Sequence, residues 1–385
     1  MTAARAVLLA ALASATCATT PAARPARAQG GPPAAKEAKE AKAKRKEGRT
    51  AEDSAAREAR HRAGSALFSS DEPLRLTLRA DFRDVFRDRD TLERRARPAT
   101  LTVDAGDGTA PATLRVMLET RGHFRLKPAT CAFPPLRVHF DSARTKGTPF
   151  AGQRTLKLTT HCRNGNRDSE QNVLREYLVY RIYALFTPRS FRARRARVTY
   201  VDARDTAKAV TEPAFFVESE RELARRTGGT ILEARGGRFS DFDPAQTDLL
   251  SVFEYFVGNT DYSLWSLHNV RILTQPGGGY YPVPYDFDWS GAVGAHYAVP
   301  DPRLPITNVR QRLYRGPCRS AEELAPVFAQ FVARRDTILA LYRTLPELEP
   351  RYVKDMEGYY AEFYETIADR RRWKDAAERA CAEGA

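Results

Sequence analysis

The sequence predicts an α+β fold with two lobes, a strand-rich N-terminal lobe over residues 66–218 and a mainly helical C-terminal lobe over residues 219–385. Two observations lead to this prediction. Up to Glu218, short segments in which apolar and polar residues alternate follow one another, as is typical of half-buried strands. Beyond that residue, apolar side chains recur at the spacing of amphipathic helices.

Seven segments of the N-terminal lobe have the residue pattern of strands, and Gly, Asp and Pro residues that favour turns separate several of them. They are Leu74–Leu78, Thr100–Val103, Ala112–Glu119, Leu136–Phe140, Thr155–Leu158, Arg197–Val201 and Ala214–Glu218. One long helix lies between the fifth and the sixth. We expect Asp168 or Ser169 to cap it and Pro188 to end it.

Four helices are predicted for the C-terminal lobe, covering Glu220–Thr227, Asp248–Val257, Ser320 to about Leu345, and about Arg351 to Cys381. Ser320, with Glu323 three residues later, has the pattern of a capping box, in which each side chain bonds the other's backbone N–H. Gly258 suits the left-handed conformation that often follows the last turn of a helix.

The N-terminus has the pattern of an export signal. Arg5 precedes the apolar run Ala6–Ala15, and Ala-Arg-Ala at 26–28 fits a signal-peptidase site, so we predict a signal peptide over residues 1–28. A charged Ala/Lys/Glu/Arg linker without an apolar face follows over residues 29–65. The residues before Cys17 are a poor match to a lipoprotein signal. We therefore predict an exported protein, periplasmic or extracellular, with no transmembrane segment after cleavage.

Four cysteines remain in the mature chain, and an even number in an exported protein suggests two disulfides. We favour the pairs Cys131–Cys162 and Cys318–Cys381 because each would then lie within one part of the chain. The cysteines and histidines have no CxxC or HxxxH spacing, which argues against a zinc site.

The net charge of +14 suggests a nucleic-acid ligand, but its distribution does not. Much of the charge lies in the linker and in the run Arg189–Arg197. That run could bind phosphate or an acidic protein, or could be a solvated face of a strand or loop. Because no nucleic-acid-binding motif and no interleaved stacking aromatics are present, we predict no nucleic-acid partner.

A hairpin is predicted within Gly258–Gly291. Two apolar runs, Val270–Leu273 and Tyr280–Tyr285, are separated by a turn that contains Gln-Pro-Gly-Gly-Gly. Such a hairpin brings the residues just before its first strand close to the residues just after its second. Polar residues lie at both of these positions.

These polar residues are Asp261 and Asn269 before the first strand, with His268 beside them, and Asp286 and Asp288 after the second. Asp and Asn are common at turns, so each residue alone would be structural. Together they form a set of oxygen ligands that suits Mg²⁺ or Mn²⁺ rather than zinc. We expect His268 either to bond a loop carbonyl or to contact a phosphate or metal.

Three stretches resemble the spore-coat protein H (CotH) kinase family of secreted atypical kinases. The first is Phe150–Leu158 (FAGQRTLKL) with the helix that carries Asn172, Leu174 and Arg175. The second comprises the strand Arg197–Val201 and the strand end Phe216-Val217-Glu218. The third and most specific stretch runs from Asp261 through His268-Asn269 and the hairpin to Pro284-Tyr285-Asp286-Phe287-Asp288, where Tyr285 replaces the family's usual Trp. The resemblance extends over about residues 115–291.

This resemblance implies a two-lobed, atypical kinase-like fold and a phosphotransferase activity. It implies that Asn269 and Asp286 bind the Mg²⁺ or Mn²⁺ of an ATP complex, with Asp288 as a further metal ligand. Asp261 would accept the proton of the hydroxyl that receives the phosphate or would orient that hydroxyl. These roles follow the general requirements of phosphoryl transfer, which are positioning and neutralisation of charge.

For the phosphates, the resemblance implies Lys157 as a bridging cation, with Glu176 as its ion-pair partner. Arg137 stands where the family has a lysine-rich strand, so it is the candidate for a second phosphate contact. The sequence contains no evident Gly-rich phosphate loop. Asp202 and Glu218 are further acids that could serve in the site.

Three functions remain open. The leading one is transfer of phosphate from Mg²⁺·ATP to a hydroxyl of a protein substrate, which could be an envelope or secreted protein, by a monomeric enzyme. The second is a metal-dependent phosphoesterase or nuclease, in which the same acids activate water. The third is a catalytically inactive pseudokinase-type scaffold of the envelope, because an oxidising compartment normally contains little ATP.

Overall fold

A computed structural model describes residues 65–89, 93–104 and 110–382. The predicted signal peptide and the predicted linker up to residue 64 lie outside these residues. Within them, no helix is long and apolar enough to cross a membrane.

Seven strands form a closed barrel. Around the barrel their order is β1-β2-β3-β4-β5-β7-β6, and neighbouring strands are antiparallel except β1 and β6, which are parallel. In chain order they are β1 (Leu74–Ala80), β2 (Arg97–Asp104), β3 (Ala112–Thr120), β4 (Leu136–Phe140), β5 (Thr155–Thr159), β6 (Ala193–Asp202) and β7 (Val210–Val217).

The closure of this barrel makes the predicted two-lobed kinase-like fold wrong. The strands do not form an open sheet in a separate lobe, because β1 pairs with β6 along its whole length, with Leu76 opposite Val198. Six of the seven predicted strand segments fall within strands of the structure, and the seventh, Ala214–Glu218, extends one residue beyond β7. Alternating apolar residues identify a strand but do not identify its partner, and here the decisive partners are distant in the sequence.

The barrel interior is filled by alternate residues of its strands. In β1, buried Leu74, Leu76, Leu78 and Ala80 alternate with residues that are more exposed. Interior residues of the other strands join them, as expected for a small barrel closed around packed side chains. Burying each such Leu or Val side chain contributes about 1.5–3 kcal/mol.

Seven α-helices lie in the described residues: α1 (Phe82–Arg87), α2 (Arg167–Tyr183), α3 (Glu220–Thr227), α4 (Pro244–Val257), α5 (Ala321–Arg343), α6 (Pro350–Ala368) and α7 (Arg370–Glu378). A small second sheet has the order β10-β9-β8, formed by β8 (Thr230–Leu232), β9 (Val270–Thr274) and β10 (Tyr280–Pro284). Helices α2, α4, α5 and α6 share a second hydrophobic core, in which Phe256 stacks on Tyr360 with ring centroids 4.1 Å apart.

Several helix ends differ from the predictions. Asn166, rather than Asp168 or Ser169, caps α2 by accepting a hydrogen bond from the backbone of Ser169. The predicted final helix is two helices, because Asp369 leaves helical geometry and caps α7. The capping box of Ser320 and the left-handed conformation of Gly258, with φ of 66°, are confirmed.

Both favoured disulfides are confirmed. Cys131 bonds Cys162, and Cys318 bonds Cys381. Two disulfides fit a protein of an oxidising compartment, either periplasmic or extracellular.

Candidate active site

The hairpin of β9 and β10 organises the site. Val270 lies opposite Pro284, and the N–H of Tyr285 donates to the carbonyl of Asn269 at 2.9 Å. The residues that flank the hairpin therefore lie side by side. A cleft of about 390 Å³ is lined by Asp261, Asn269, Asp286 and Asp288, among others, so all four polar residues singled out in the sequence meet in one place.

Buried Phe287 fixes the two acids of this hairpin. Its ring lies 4.9 Å from that of Tyr180 and 5.8 Å from that of Phe253, within the helical core. Asp286 and Asp288 flank this anchor and line the cleft. The N–H of Asp286 donates to the hydroxyl of Tyr180 at 2.8 Å, which fixes the backbone at this point.

Three non-glycine residues of the site have left-handed backbones: Leu267, Asn269 and Asp286, with φ of 55°, 53° and 65°. Asn and Asp tolerate this conformation better than other side chains, whereas Leu is disfavoured there. Strained backbones of this kind concentrate at binding and catalytic sites, where the surrounding structure holds them. The sequence singled out Asn269 and Asp286 as candidate ligands, but it gave no sign of the strained backbone at any of the three.

Asp261 is held by its neighbours. The amide nitrogen of Asn269 donates to the backbone carbonyl of Asp261 at 2.7 Å and to its Oδ2 at 3.0 Å. His268 Nε2 lies 3.0 Å from the Oδ1 of Asp261, and this hydrogen bond raises the pKa of His268. The partner of His268 is thus a carboxylate, not the loop carbonyl considered from the sequence. Because the side-chain nitrogen of Asn269 is engaged, its side-chain oxygen Oδ1 is the atom available to a ligand.

Acid groups crowd the inner end of the cleft. Asp288 is buried, accepts a hydrogen bond from the Tyr297 hydroxyl at 2.8 Å, and lies 3.9 Å from an Arg125 nitrogen. Burial and the nearby Asp286 raise its pKa to about 6. Burial, with the charges of Asp288 and Asp286, raises the pKa of Glu176 well above its ordinary value. One oxygen of Glu176 is buried without a hydrogen-bond partner.

Three basic side chains surround these acids. Arg121 and Arg125 line the cleft and are buried. Arg121 Nη2 donates to Oγ1 of Thr159, the last residue of β5, at 3.0 Å, and Arg125 Nη2 donates to the carbonyl of the next residue, Thr160, at 2.7 Å. Lys157 Nζ lies 4.5 Å from the centre of the Tyr285 ring. Burial, reinforced by Arg121, lowers the pKa of Lys157 to about 8.

The structure separates some residues that the resemblance grouped. Lys157 and Glu176 form no ion pair in the described part of the chain. The charges that act most strongly on Glu176 are those of Asp288, Asp286, Arg125 and Arg121. Arg137 lies opposite Lys157 on the neighbouring strand, where it forms an ion pair with Glu119. Asp202 accepts a hydrogen bond from the N–H of Phe82 at 3.2 Å, and Glu218 pairs with Arg226.

Arg121 and Arg125 are site residues that sequence reasoning missed. Their signal was weak: two arginines bracket Gly122 directly after a strand, in a chain with 62 Lys and Arg residues. The conspicuous basic run Arg189–Arg197 is instead used in structural contacts. Arg189 donates to Gln275, Arg194 to the carbonyls of residues 67 and 70, and Arg195 to Glu347.

The donor set fits a divalent metal only together with a ligand. Within the residues described, no three His, Cys, Asp or Glu side chains come together as a metal-binding group. The site offers two carboxylates, from Asp286 and Asp288, and one side-chain amide oxygen, from Asn269. Mg²⁺ typically takes one or two carboxylates and completes its shell with water and substrate phosphates. The crowded acids and the unpartnered Glu176 oxygen also fit an additional positive charge.

No protein-family model matches this sequence, and no curated protein matches it significantly. The resemblance to the CotH kinase family therefore remains a prediction that depends on the residues described above.

Proposed function

We propose that this protein is an exported phosphotransferase that moves the terminal phosphate of Mg²⁺·ATP to a hydroxyl of a protein substrate. This is the activity that the resemblance to the CotH kinase family implies. The observation that carries the proposal is one cleft in which Arg121 and Arg125 approach the carboxylates of Asp286 and Asp288, with Asp261 at its mouth. The proposal depends on this cleft and not on the fold, because the predicted kinase-like architecture is wrong.

The cations supply the phosphate-binding side of the site. Arg121 and Arg125 are held by hydrogen bonds to the barrel, so they can meet phosphate oxygens without first being ordered. Guanidinium groups bind phosphate through two parallel hydrogen bonds. Lys157 carries a lowered pKa of about 8 and is therefore mostly charged at neutral pH. Its ammonium would bind a further phosphate oxygen.

The oxygen ligands supply the metal-binding side. Mg²⁺ or Mn²⁺ would be held by the carboxylates of Asp286 and Asp288 and the side-chain oxygen of Asn269. When bound, the metal neutralises charge on the phosphates. Burial and the negative charge of Asp286 raise the pKa of Asp288. A cation bound nearby would offset both effects and favour the charged carboxylate. Tyr297 orients Asp288 by its hydrogen bond.

Asp261 would position the acceptor. Its carboxylate is oriented by Asn269 and His268, yet remains partly exposed, with 35% of its side chain accessible. In the transfer step, the acceptor oxygen bonds the terminal phosphorus as the bond from that phosphorus to the bridging oxygen of ADP breaks. The hydroxyl proton passes to the carboxylate of Asp261.

Thermal unfolding of the mature protein, titrated with ATP with and without Mg²⁺, tests nucleotide binding. Ligand at about a hundred times its Kd stabilises a fold by roughly 2.7 kcal/mol, which is a readily measured rise in Tm. We expect a Mg²⁺-dependent rise that Asp286→Asn abolishes. Asp205→Asn, at a surface turn outside the cleft, is the matched control and should keep the full response. If no nucleotide shifts the Tm of folded protein, the proposal fails.

Hydrolysis is the second candidate, because the mouth of the cleft is open to water. Asp261 and His268 form a hydrogen-bonded pair, and 56% of the His268 side chain is exposed. Such a pair could activate a water molecule. With γ-labelled ATP, labelled protein indicates phosphotransfer and labelled free phosphate indicates hydrolysis, so measurement of both products distinguishes the two activities. Mg²⁺·ATP binding without either product would instead indicate a pseudokinase-type scaffold.

A further inference from the structure

A second groove begins where the candidate active site ends. It has a volume of about 570 Å³ and lies between the loop of residues 260–268 and the loop of residues 299–304. Asp261, His268 and Trp289 line both this groove and the cleft that holds the acids. The pair that would receive the acceptor hydroxyl therefore lies at the junction of the two spaces.

The groove continues into a third space of about 530 Å³, with which it shares Tyr262, Ser263 and Arg315. The three spaces follow one another along the surface, with Asp261 between the first two. A small alcohol would occupy only the junction. An extended chain would occupy the groove on the far side of Asp261 and present one of its hydroxyls there.

Two exposed apolar side chains line this path. Trp265 is 62% exposed and lines the third space, and Val299 is 59% exposed and lines the groove. They are two of the six large hydrophobic side chains that are exposed in the described residues. Exposed apolar groups beside a cleft indicate a binding surface, and Trp is among the residues that contribute most to protein interfaces.

Trp265 is presented on a rigid turn. Ser263 and His268 exchange two backbone hydrogen bonds of 3.0 Å, which close the turn that carries Trp265. The carbonyl of Trp265 accepts a hydrogen bond from the N–H of Gly236 at 2.7 Å. The same turn thus fixes the backbone of Trp265 at its tip and of His268 at its base, so little backbone entropy is lost when the ring binds a partner.

The charges of the groove are already paired. Arg303 forms a fork with Asp301, with Nε to oxygen distances of 2.9 and 3.1 Å. Arg315 donates to the backbone carbonyls of Thr260 and Tyr262. Recognition along this path therefore depends more on apolar contact than on charge.

We infer that the acceptor is an extended polypeptide segment that places a Ser or Thr hydroxyl at Asp261 and an apolar side chain against Trp265 and Val299. This inference rests on the proposed phosphotransferase function and specifies its substrate. The groove on the far side of Asp261 holds the segment, while the cleft of Asp286 and Asp288 remains for the nucleotide.

A peptide library tests the inference. Each peptide contains one Ser or Thr with randomised flanking positions, and the full mature protein is supplied with Mg²⁺ and γ-labelled ATP. We expect labelled peptides to be enriched in Leu, Ile, Met or Phe at one fixed spacing from the hydroxyl. For one enriched peptide, Trp265→Ala and Val299→Asp should each raise KM about tenfold or more and leave kcat nearly unchanged.

Val332→Asp is the matched control, because Val332 has the same 59% exposure but lies on α5, outside the groove. It should leave KM unchanged. The inference is overturned if labelled peptides show no apolar preference, or if Trp265→Ala and Val299→Asp bind the peptide as well as the unchanged protein does. Failure of the proposed function looks different: Mg²⁺·ATP would then neither raise the Tm nor label any peptide.

Discussion

The barrel and the hairpin cleft bury different kinds of side chain. The barrel interior contains Leu, Val, Ala and aromatic residues that alternate with exposed ones along each strand. The cleft and the two helices beside it, α2 and α4, bury charged groups, including Arg125, Glu176, Asp288 and Glu254. Buried charge destabilises a fold unless it is fully paired, whereas buried apolar surface stabilises the fold. The comparison indicates that the barrel stabilises the molecule and that the cleft is built for binding.

The largest effect on stability is expected in the barrel. Phe216 is fully buried in β7, with its ring 5.3 Å from that of Phe150. Phe216→Ala should lower the free energy of unfolding by about 3–5 kcal/mol, because it removes apolar contacts and leaves a cavity. Urea unfolding measures this. Val332→Ala, at an exposed position, should change stability by less than about 0.5 kcal/mol. A loss below about 1 kcal/mol for Phe216→Ala would mean that the barrel interior is not closely packed.

Removal of either disulfide should destabilise the fold by a similar amount, so the two can be compared for their effects on the site. Each should contribute about 2–5 kcal/mol, and the Cys318–Cys381 bond slightly more, because its separation of 63 residues is about twice the 31 residues of Cys131–Cys162. Their effects on the site should differ. Arg125 bonds the carbonyl of Thr160, two residues before Cys162.

We therefore expect the double variant Cys131→Ser/Cys162→Ser to lose most of its Tm response to Mg²⁺·ATP. The double variant Cys318→Ser/Cys381→Ser should lose stability but keep the response. Thermal unfolding with and without nucleotide compares the two proteins. Equal loss of the response in both would contradict the assignment of Arg125 to the phosphate-binding side.

The buried acid Glu254 should make stability depend on pH. Burial raises its pKa from 4.5 to about 8, and the nearby side chain of Asn259 opposes this rise only in part. Between these values the unfolded chain releases a proton that the folded protein keeps, so the free energy of unfolding falls as pH rises from about 4.5 to about 8. Each unit of pKa difference corresponds to about 1.4 kcal/mol, so the fall amounts to a few kcal/mol at most.

Glu254→Gln should lack this contribution. We expect its urea midpoint to change less between pH 5 and pH 8 than that of the unchanged protein, and to be higher at pH 8. The matched variant Glu365→Gln, at an exposed position on α6, should follow the unchanged protein. Identical pH dependence in Glu254→Gln and the unchanged protein would show that Glu254 ionises normally in the fold.

Local patterns predicted much of the secondary structure. Alternation identified all seven barrel strands, and the hairpin of β9 and β10 followed from two apolar runs around a Gly-rich turn. The barrel itself was not predictable in this way. Its closure depends on the pairing of Leu76 with Val198, and alternation carries no information about partners so distant in the sequence.

The site was predictable where its residues flank one hairpin. Asp261, Asn269, Asp286 and Asp288 meet because short-range pairing brings the two ends of that hairpin together. Arg121 comes from a different part of the chain, as does Arg125. Only the tertiary fold selects these two arginines from the many others, and only it separates Glu176 from Lys157.

The parallel pairing of β1 with β6 has a consequence for the order in which the molecule can form. A chain that emerges N-terminus first exposes β1 long before β6 exists, so one edge of the nascent sheet has no partner until the long helix and β6 have followed. Unpaired edges of this kind favour aggregation. An exported protein with such a barrel would depend on being kept unfolded until most of its length has crossed the membrane, and it should fold slowly once released.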